Sequence, residues 1–504
     1  MKTKRKILTS LCLLLALLML ASCAAAAPTD PLAPENDFYG GALEDAEEQL
    51  PQAPQENPDA EDGLIENPFI STATQPVSTF SSDVDTASYT YFRKLVKSGY
   101  SFAELAATAG KSLRTEELVN YFDYACPAPE EGKLFGYKAQ IAPTPWNSET
   151  ALMMLTLKTE ESAQHSKNNL VFLIDVSGSM TSEDKLPLLK KAFAHLVDKL
   201  DGDDRVSIVT YSGAERVVLQ GCEGSKKEMI LDAINNLEAS GSTNGEAGLT
   251  MAYRLAEQYY IEGGNNRIFM ASDGDLNVGI SSAEELKNYI SDKKDAGIFL
   301  SVLGFGTGNY KDSNMEALAD NGNGVYYYID GEEEAEKIFG QDLFSSLYTV
   351  AKDVKLQLTF NPEVVDEYRL IGYENRLLNN EDFLDDTKDA GELGAGHSVT
   401  VLYELKISPA SENQPFGQLA VRYKAPDGIK SMEESFTLSG DLFTLAPDED
   451  FRFASAVTEL SLLLKDSRYK GSATKEHLYG LLLEMSTADE YKAQFINMAK
   501  DLLA

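Results

Sequence analysis

Histidine, cysteine, tryptophan and positive charge are all scarce in this chain, and each scarcity closes off a class of chemistry. Only His165, His195, His397 and His477 occur in 504 residues. His195 falls in a helical stretch and His397 in a β-rich one, neither near a G-x-S-x-G elbow, which excludes a Ser-His-Asp hydrolase. Two of the four cysteines lie in the first 23 residues. That leaves Cys126 and Cys222, in different segments, to be read as free thiols, with no disulfide framework to hold the fold. Trp146, the single tryptophan, reads as a core anchor. Against 80 Asp and Glu stand 44 Lys and Arg, a formal net charge of −36. Such a field repels phosphate backbones and anionic lipid surfaces, so nucleic acid is excluded as the main partner. Beyond the run Leu8 to Leu20, itself shorter than the ~20 residues a helix needs to cross a bilayer, no apolar stretch approaches that length.

What is present begins with an export signal. Lys2, Lys4, Arg5 and Lys6 form a basic head before the apolar run, and Leu20-Ala21-Ser22-Cys23 closes it with small residues. This tetrapeptide resembles a bacterial lipobox, which implies cleavage after residue 22 and lipidation of Cys23, placing the protein outside the cytoplasm on a membrane. Residues 23–75 are rich in Pro, Ala and acids, and no Lys or Arg occurs between Lys6 and Arg93, the composition of a disordered acidic tether.

The length suggests about three domains. Residues 76–165 open with a short strand at Val77 to Phe80, a helix over Asp85 to Lys97 and a second helix capped by Thr115, followed by strands at Tyr137–Ile141 and Leu152–Leu157. Residues 166–350 alternate apolar runs (Leu170–Ile174, Val206–Tyr211, Ile268–Ala271, Ile298–Leu303 and Val325–Ile329) with helical periodicity. This is the pattern of a mainly parallel sheet covered by helices on both faces, an α/β fold that binds ligands at the carboxyl ends of its strands. Glu334 to Lys352 has the position of its last helix. Residues 351–445 read as antiparallel strands at Val354–Phe360, Ser398–Leu405, Gln418–Tyr423 and Ser435–Leu438, and residues 446–504 as helices. With strands before and after it, the α/β domain is expected to be inserted into, or flanked by, a β-sandwich.

The chemistry gathers at three strand ends. Asp175-Val176-Ser177-Gly178-Ser179 follows the first strand, Gly241-Ser242-Thr243-Asn244-Gly245 enters a helix, and Ala271-Ser272-Asp273-Gly274-Asp275 closes another strand. Two carboxylates and three hydroxyls form a hard-oxygen set suited to Mg²⁺, with Mn²⁺ or Ca²⁺ as alternatives. Neutral hydroxyls leave such an ion under-neutralised and receptive to an incoming carboxylate. This arrangement resembles a von Willebrand factor type A domain with a metal-ion-dependent adhesion site, and the resemblance implies Asp175, Ser177, Ser179, Thr243 and Asp273 as the metal ligands. The runs Ser78 to Tyr89, Glu117 to Phe122, Pro145-Trp146-Asn147, Tyr373-Glu374-Asn375-Arg376, Asp450 to Ala454 and Tyr469-Lys470-Gly471 further resemble the YfbK-like bacterial A-domain lipoproteins.

Other motifs in the same residues are weaker. A phosphohydrolase with Asp175 as nucleophile requires a general acid two residues on, and position 177 is serine. Asp273, Asp275, Asn277 and Glu284 mimic a calcium loop, yet the turn glycine is Gly279 instead of residue 278 and the preceding segment is a strand. Ser182-Glu183-Asp184-Lys185 fits S-x-x-K without a following K-T-G. Gly304-Phe305-Gly306 lacks nucleotide-binding spacing and reads as a turn. The expectation is a non-enzymatic, membrane-anchored binding protein whose metal engages a carboxylate on a protein or glycan, with no nucleic acid or nucleotide partner. An envelope scaffold with a structural metal is the alternative, and a Mg²⁺-dependent phosphohydrolase is more remote.

Overall fold

The computed structural model describes residues 65–161, 167–241, 245–274, 283–306, 312–408, 414–426 and 428–504. Its strands, in chain order, are β1 (Ile70–Ser71), β2 (Val77–Ser81), β3 (Phe135–Thr144), β4 (Asn147–Thr159), β5 (Asn168–Asp175), β6 (Arg205–Tyr211), β7 (Glu215–Glu223), β8 (Asn265–Ser272), β9 (Ile298–Phe305) and β10 (Tyr326–Ile329), then β11 (Thr349–Phe360), β12 (Val365–Ile371), β13 (Gly391–Gly394), β14 (Ser398–Ile407), β15 (Gly417–Lys424) and β16 (Ser431–Leu438). The signal segment, Cys23 and the tether up to residue 64 lie outside the described residues; residues 65–75, expected as disordered tether, are instead ordered, because β1 pairs with β12 and the Asn67 side chain donates to the Leu370 and Gly372 carbonyls at 3.2 and 2.7 Å.

A six-stranded sheet runs in the order β10-β9-β8-β5-β6-β7. Its pairings are parallel except β6 with β7. β5 and β8 are buried along their whole length, which is why their sequences read as continuous apolar runs without alternation. Helices cover both faces: Phe172, Phe193 and Phe269 pack on one side, and Leu173, Tyr253 and Met270 on the other. Sequence periodicity overlooks β7, because this antiparallel edge strand is largely exposed and its apolar residues, Val217 to Leu219, form a short run without alternation.

Two antiparallel sheets face each other. One has the order β1-β12-β14-β4-β3, the other β13-β11-β15-β16 with β2 added beside β11. Strands from before and after the parallel sheet therefore share each layer, and the α/β unit is an insertion into a sandwich built by both flanks. The outer face of the first sheet, through Ala142, Leu152, Met154 and Leu402, shares a core with the helices Ala87–Lys97, Thr115–Asn120, Glu449–Leu464 and Glu490–Leu503. Trp146 is fully buried in that core. The amide of Ser472 donates to the Trp146 carbonyl at 2.8 Å. Gly471 has φ +51°, and a Cβ there would lie 2.2 Å from the same oxygen, so Tyr469-Lys470-Gly471 requires glycine at its last position.

Three local expectations are corrected. The first helix starts at Ala87 because Asp83 and Asp85 are engaged by Arg376. Thr115 is the first helical residue and makes no cap; its hydroxyl meets that of Ser461 at 2.8 Å. Glu334 to Lys352 is not one helix. It divides into the helix Glu332–Glu336, a π turn Lys337–Gln341, the helix Leu343–Leu347 and the start of β11. The wider turn lets Ile338 and Phe339 both reach the core.

That broken helix is clamped by Arg93, which is fully buried. Its Nε donates to Asp330 at 2.8 Å, one Nη to Glu334 at 2.7 Å and the other to the Tyr121 hydroxyl at 2.7 Å. The guanidinium also lies over the rings of Tyr89 and Tyr121, 5.4 and 5.3 Å from their centroids. Removing it strands two acids in a dry site. Arg93→Met is expected to cost ~3–5 kcal/mol in chemical denaturation; a loss under about 1 kcal/mol would show that water reaches Asp330 and Glu334.

Glu116 carries a second buried cost. Neither carboxylate oxygen finds a hydrogen-bond partner among the described residues. Burial, with Glu374 and Asp83 nearby, pushes its carboxyl from an ordinary value near 4.5 up to about 8. A raised folded-state value favours the protonated form, so this contribution to stability is complete below the unfolded value and is lost as pH rises through about 8. Glu116→Gln should flatten the alkaline side of the melting-temperature profile; an unchanged profile would mean the carboxylate is solvated.

Candidate functional site

Strand register delivers the acids. Ile174 of β5 pairs with Ala271 of β8, so Asp175 stands beside Ser272, and Asp273 follows at the same carboxyl edge. Both acids are almost completely inaccessible, at 0% and 1% exposure. Asp175 Oδ1 accepts from the Ser177 amide at 2.8 Å, and Oδ2 faces the Ser272 hydroxyl at 3.4 Å. The chain then enters a 3₁₀ turn, Gly178–Thr181, in which the Ser177 and Ser179 hydroxyls meet at 3.0 Å. Ser177 is buried and Ser179 exposed, so the hydroxyls lead from the acids toward solvent.

The third loop is sewn to the first. The Gly178 amide donates to the Gly241 carbonyl at 3.0 Å, and the Ser240 amide to the Val176 carbonyl at 2.7 Å. Gly241, at φ +82°, makes the reversal. Thr243 lies outside the described residues, as do Asp275 and Asn277 of the calcium-like run. Four of the five expected ligands are therefore described, and all sit on this edge.

Burial dominates the electrostatics. It pushes the Asp175 carboxyl up to about 6, against the downward pull of the Ser177 amide and hydroxyl, with Asp273 adding repulsion. The donors that reach Asp175 are neutral, while Asp273 has a cation: Lys185 Nζ donates to its Oδ2 at 2.8 Å and to the Ser179 carbonyl at 3.0 Å. A buried acid that meets neutral donors among the described residues, beside a second acid and two hydroxyls, has the chemistry of a hard-cation site. Among the described residues no three His, Cys, Asp or Glu side chains converge to hold an ion; here two acids converge and hydroxyls make up the set. Lys185 is the residue that reading by motif missed. Its signal was S-x-x-K, weighed only as a catalytic pattern.

His165 lies outside the described residues, and His397, His477, Cys126 and Cys222 stand apart from this edge. His477 Nδ1 lies 2.6 Å from Glu459 Oε1, burial lowers His397, and Cys126 and Cys222 are free.

Residues 169–341 match the von Willebrand factor type A domain family, and residues 56–154 the family described as von Willebrand factor. Residues 345–503 match that described as "Uncharacterized protein YfbK, C-terminal". The Escherichia coli (strain K12) protein described as "Uncharacterized protein YfbK" is 37% identical over 462 residues, spanning 86% of this chain and 79% of its own length. The chain belongs to the YfbK family. Human inter-alpha-trypsin inhibitor heavy chain H3 is similar over a shorter stretch, 27% identical across 177 residues, 33% of this chain and 20% of its own. A solved von Willebrand factor type A protein from Catenulispora acidiphila superimposes with a TM-score of 0.44 at 16% identity, covering 75% of this chain and 91% of that one. The type A match and the YfbK C-terminal match together take in both halves of the architecture, and the acid pair lies within the type A match.

The buried charge at Asp175 makes its own prediction. With divalent ions removed by chelator, Asp175→Asn should raise the melting temperature, by about 1 °C for each kcal/mol of relieved desolvation in a chain of this length. A fall would show that the carboxylate is already well compensated.

Proposed function

We propose that this YfbK-family protein is a non-enzymatic, extracytoplasmic binding module, tethered through lipid on Cys23, that engages a carboxylate-bearing protein or glycan through a divalent ion. Asp175, Ser177, Ser179, Thr243 and Asp273 would hold the ion, Mg²⁺ in the first instance. When bound, it supplies a Lewis-acid centre for an anionic side chain. The observation that carries this reading is the pairing of two buried acids with hydroxyls that step outward to solvent at the carboxyl edge of the parallel sheet. Such a set leaves a coordination position of the ion open on its solvent side, where an anionic oxygen ligand can enter. The buried position of Asp175 also disfavours it as a nucleophile, which must meet its substrate. The basic head, the apolar run and Leu20-Ala21-Ser22-Cys23 support export and lipidation. No helix of the described residues is long and apolar enough to cross a membrane.

A scaffold role is the second reading. It is favoured by large apolar side chains left in solvent: Leu384, Ile429 and Leu445 are 66%, 86% and 81% exposed. On that reading, partners dock on the sandwich half and the ion serves the fold.

Cross-linking and capture from intact cells, with and without chelator, separate the two. Metal-mediated binding predicts that chelator and Asp175→Ala each abolish capture while the melting transition survives. A partner retained in chelator overturns it in favour of the scaffold. Mass spectrometry of the membrane fraction should find Cys23 acylated, and Cys23→Ala should move the protein to the soluble fraction; a membrane-bound Cys23→Ala protein would contradict the anchor.

A further inference from the structure

Lys185 reaches the acid pair from the residue just before the helix Leu186–Lys199. Its stem crosses Gly306, where φ is +74° and a Cβ would lie 2.3 Å from Lys185 Cε. Any larger residue at 306 would collide with the lysine. The backbone that carries it is held as well: the Lys185 amide donates to the Ser182 carbonyl at 3.0 Å, and Asp184 pairs with Lys94 of the helix Ala87–Lys97 at 3.1 Å. Only 12% of the Lys185 side chain meets solvent, and its ammonium sits on Asp273 Oδ2 and the Ser179 carbonyl. A long, flexible, strongly hydrated side chain is thus fixed, with its charge on one of the two acids a divalent ion needs.

We infer that Lys185 is an internal counter-ion of Asp273 that a divalent ion must displace, so that it keeps the loop ordered without metal and weakens metal affinity. The inference rests on the metal-binding reading above and adds the residue that sets its strength. A divalent ion and an ammonium repel each other strongly in a poorly screened site, and both draw on the same carboxylate. Release of the lysine exposes its charge and forfeits its packing over Gly306, and this cost is subtracted from the affinity of the ion. Exchange of one cation for another at Asp273 also leaves the loop ordered in both states, so metal would be gained and lost without unfolding the ligand edge.

The test is calorimetric titration of the full-length protein with Mg²⁺, paired with melting curves in chelator and in Mg²⁺. Lys185→Met keeps the stem and removes the charge. It is expected to bind Mg²⁺ about tenfold tighter or better, to melt lower than wild type in chelator and to gain more from Mg²⁺. Lys185→Arg keeps the charge and should show no tightening. Binding by the Met variant alone would overturn metal binding by the native site, and with it the displacement inferred here. Wild-type protein that binds Mg²⁺ while Lys185→Met binds equally or more weakly overturns the inference and leaves the metal site standing. No binding by either overturns the metal reading and this inference with it. Should Lys185→Met fail to fold, Lys185→Gln is read by the same outcomes.

Discussion

Two carboxylates, Asp175 and Asp273, are held together out of water at one edge of a parallel sheet, and much of the surrounding structure can be understood as what that juxtaposition demands. The parallel register of β5 and β8 places the acids. The Ser177 amide and the Ser272 hydroxyl orient the first, and the Lys185 ammonium neutralises the second. Burial raises the carboxyl of Asp175 against the downward pull of the Ser177 amide. A hydroxyl-rich loop is the economical complement, because it offers oxygen donors without adding a third negative charge to a site already short of cations.

The rigidity of that edge depends on elements far from it in sequence. Arg93 ties the segment after β10 to the first helix, and the helices at the two ends of the chain share one core over the outer face of the sandwich. The α/β unit is therefore gripped on the side of its last helix and joined through both ends to the sandwich. Lys94, one residue beyond Arg93, reaches Asp184 beside the ligand loop. One short stretch of the first helix thus holds both the clamp and the residue next to Lys185.

Long apolar runs and ligand motifs were legible in the sequence because they depend on local pattern. β5, β6, β8 and β9 are buried on both faces, so their composition alone marks them. The D-x-S-x-S loop and Asp273 follow from their places at strand ends, and four of the five expected ligands lie together. Features that depend on tertiary partners were hidden. β7 is a largely exposed edge strand whose short apolar run, Val217 to Leu219, lacks the alternation that marks a strand. Thr115 resembles a cap until Ser461, 346 residues later, claims its hydroxyl. The break after Glu336 reflects the need of Ile338 and Phe339 to enter one core. Lys185 became meaningful only when Asp273 and Gly306, both distant in sequence, were seen against it.

The central claim is that the acid pair takes a divalent ion, and electron paramagnetic resonance of the full-length protein titrated with Mn²⁺ addresses it most directly. The expected result is loss of the free-ion signal up to a stoichiometric amount of added Mn²⁺, with Asp273→Asn leaving that signal undiminished. A free-ion signal that rises from the first addition in the wild-type protein, at protein concentrations in the hundreds of micromolar range, about the weak end of carboxylate and hydroxyl sites, would contradict it.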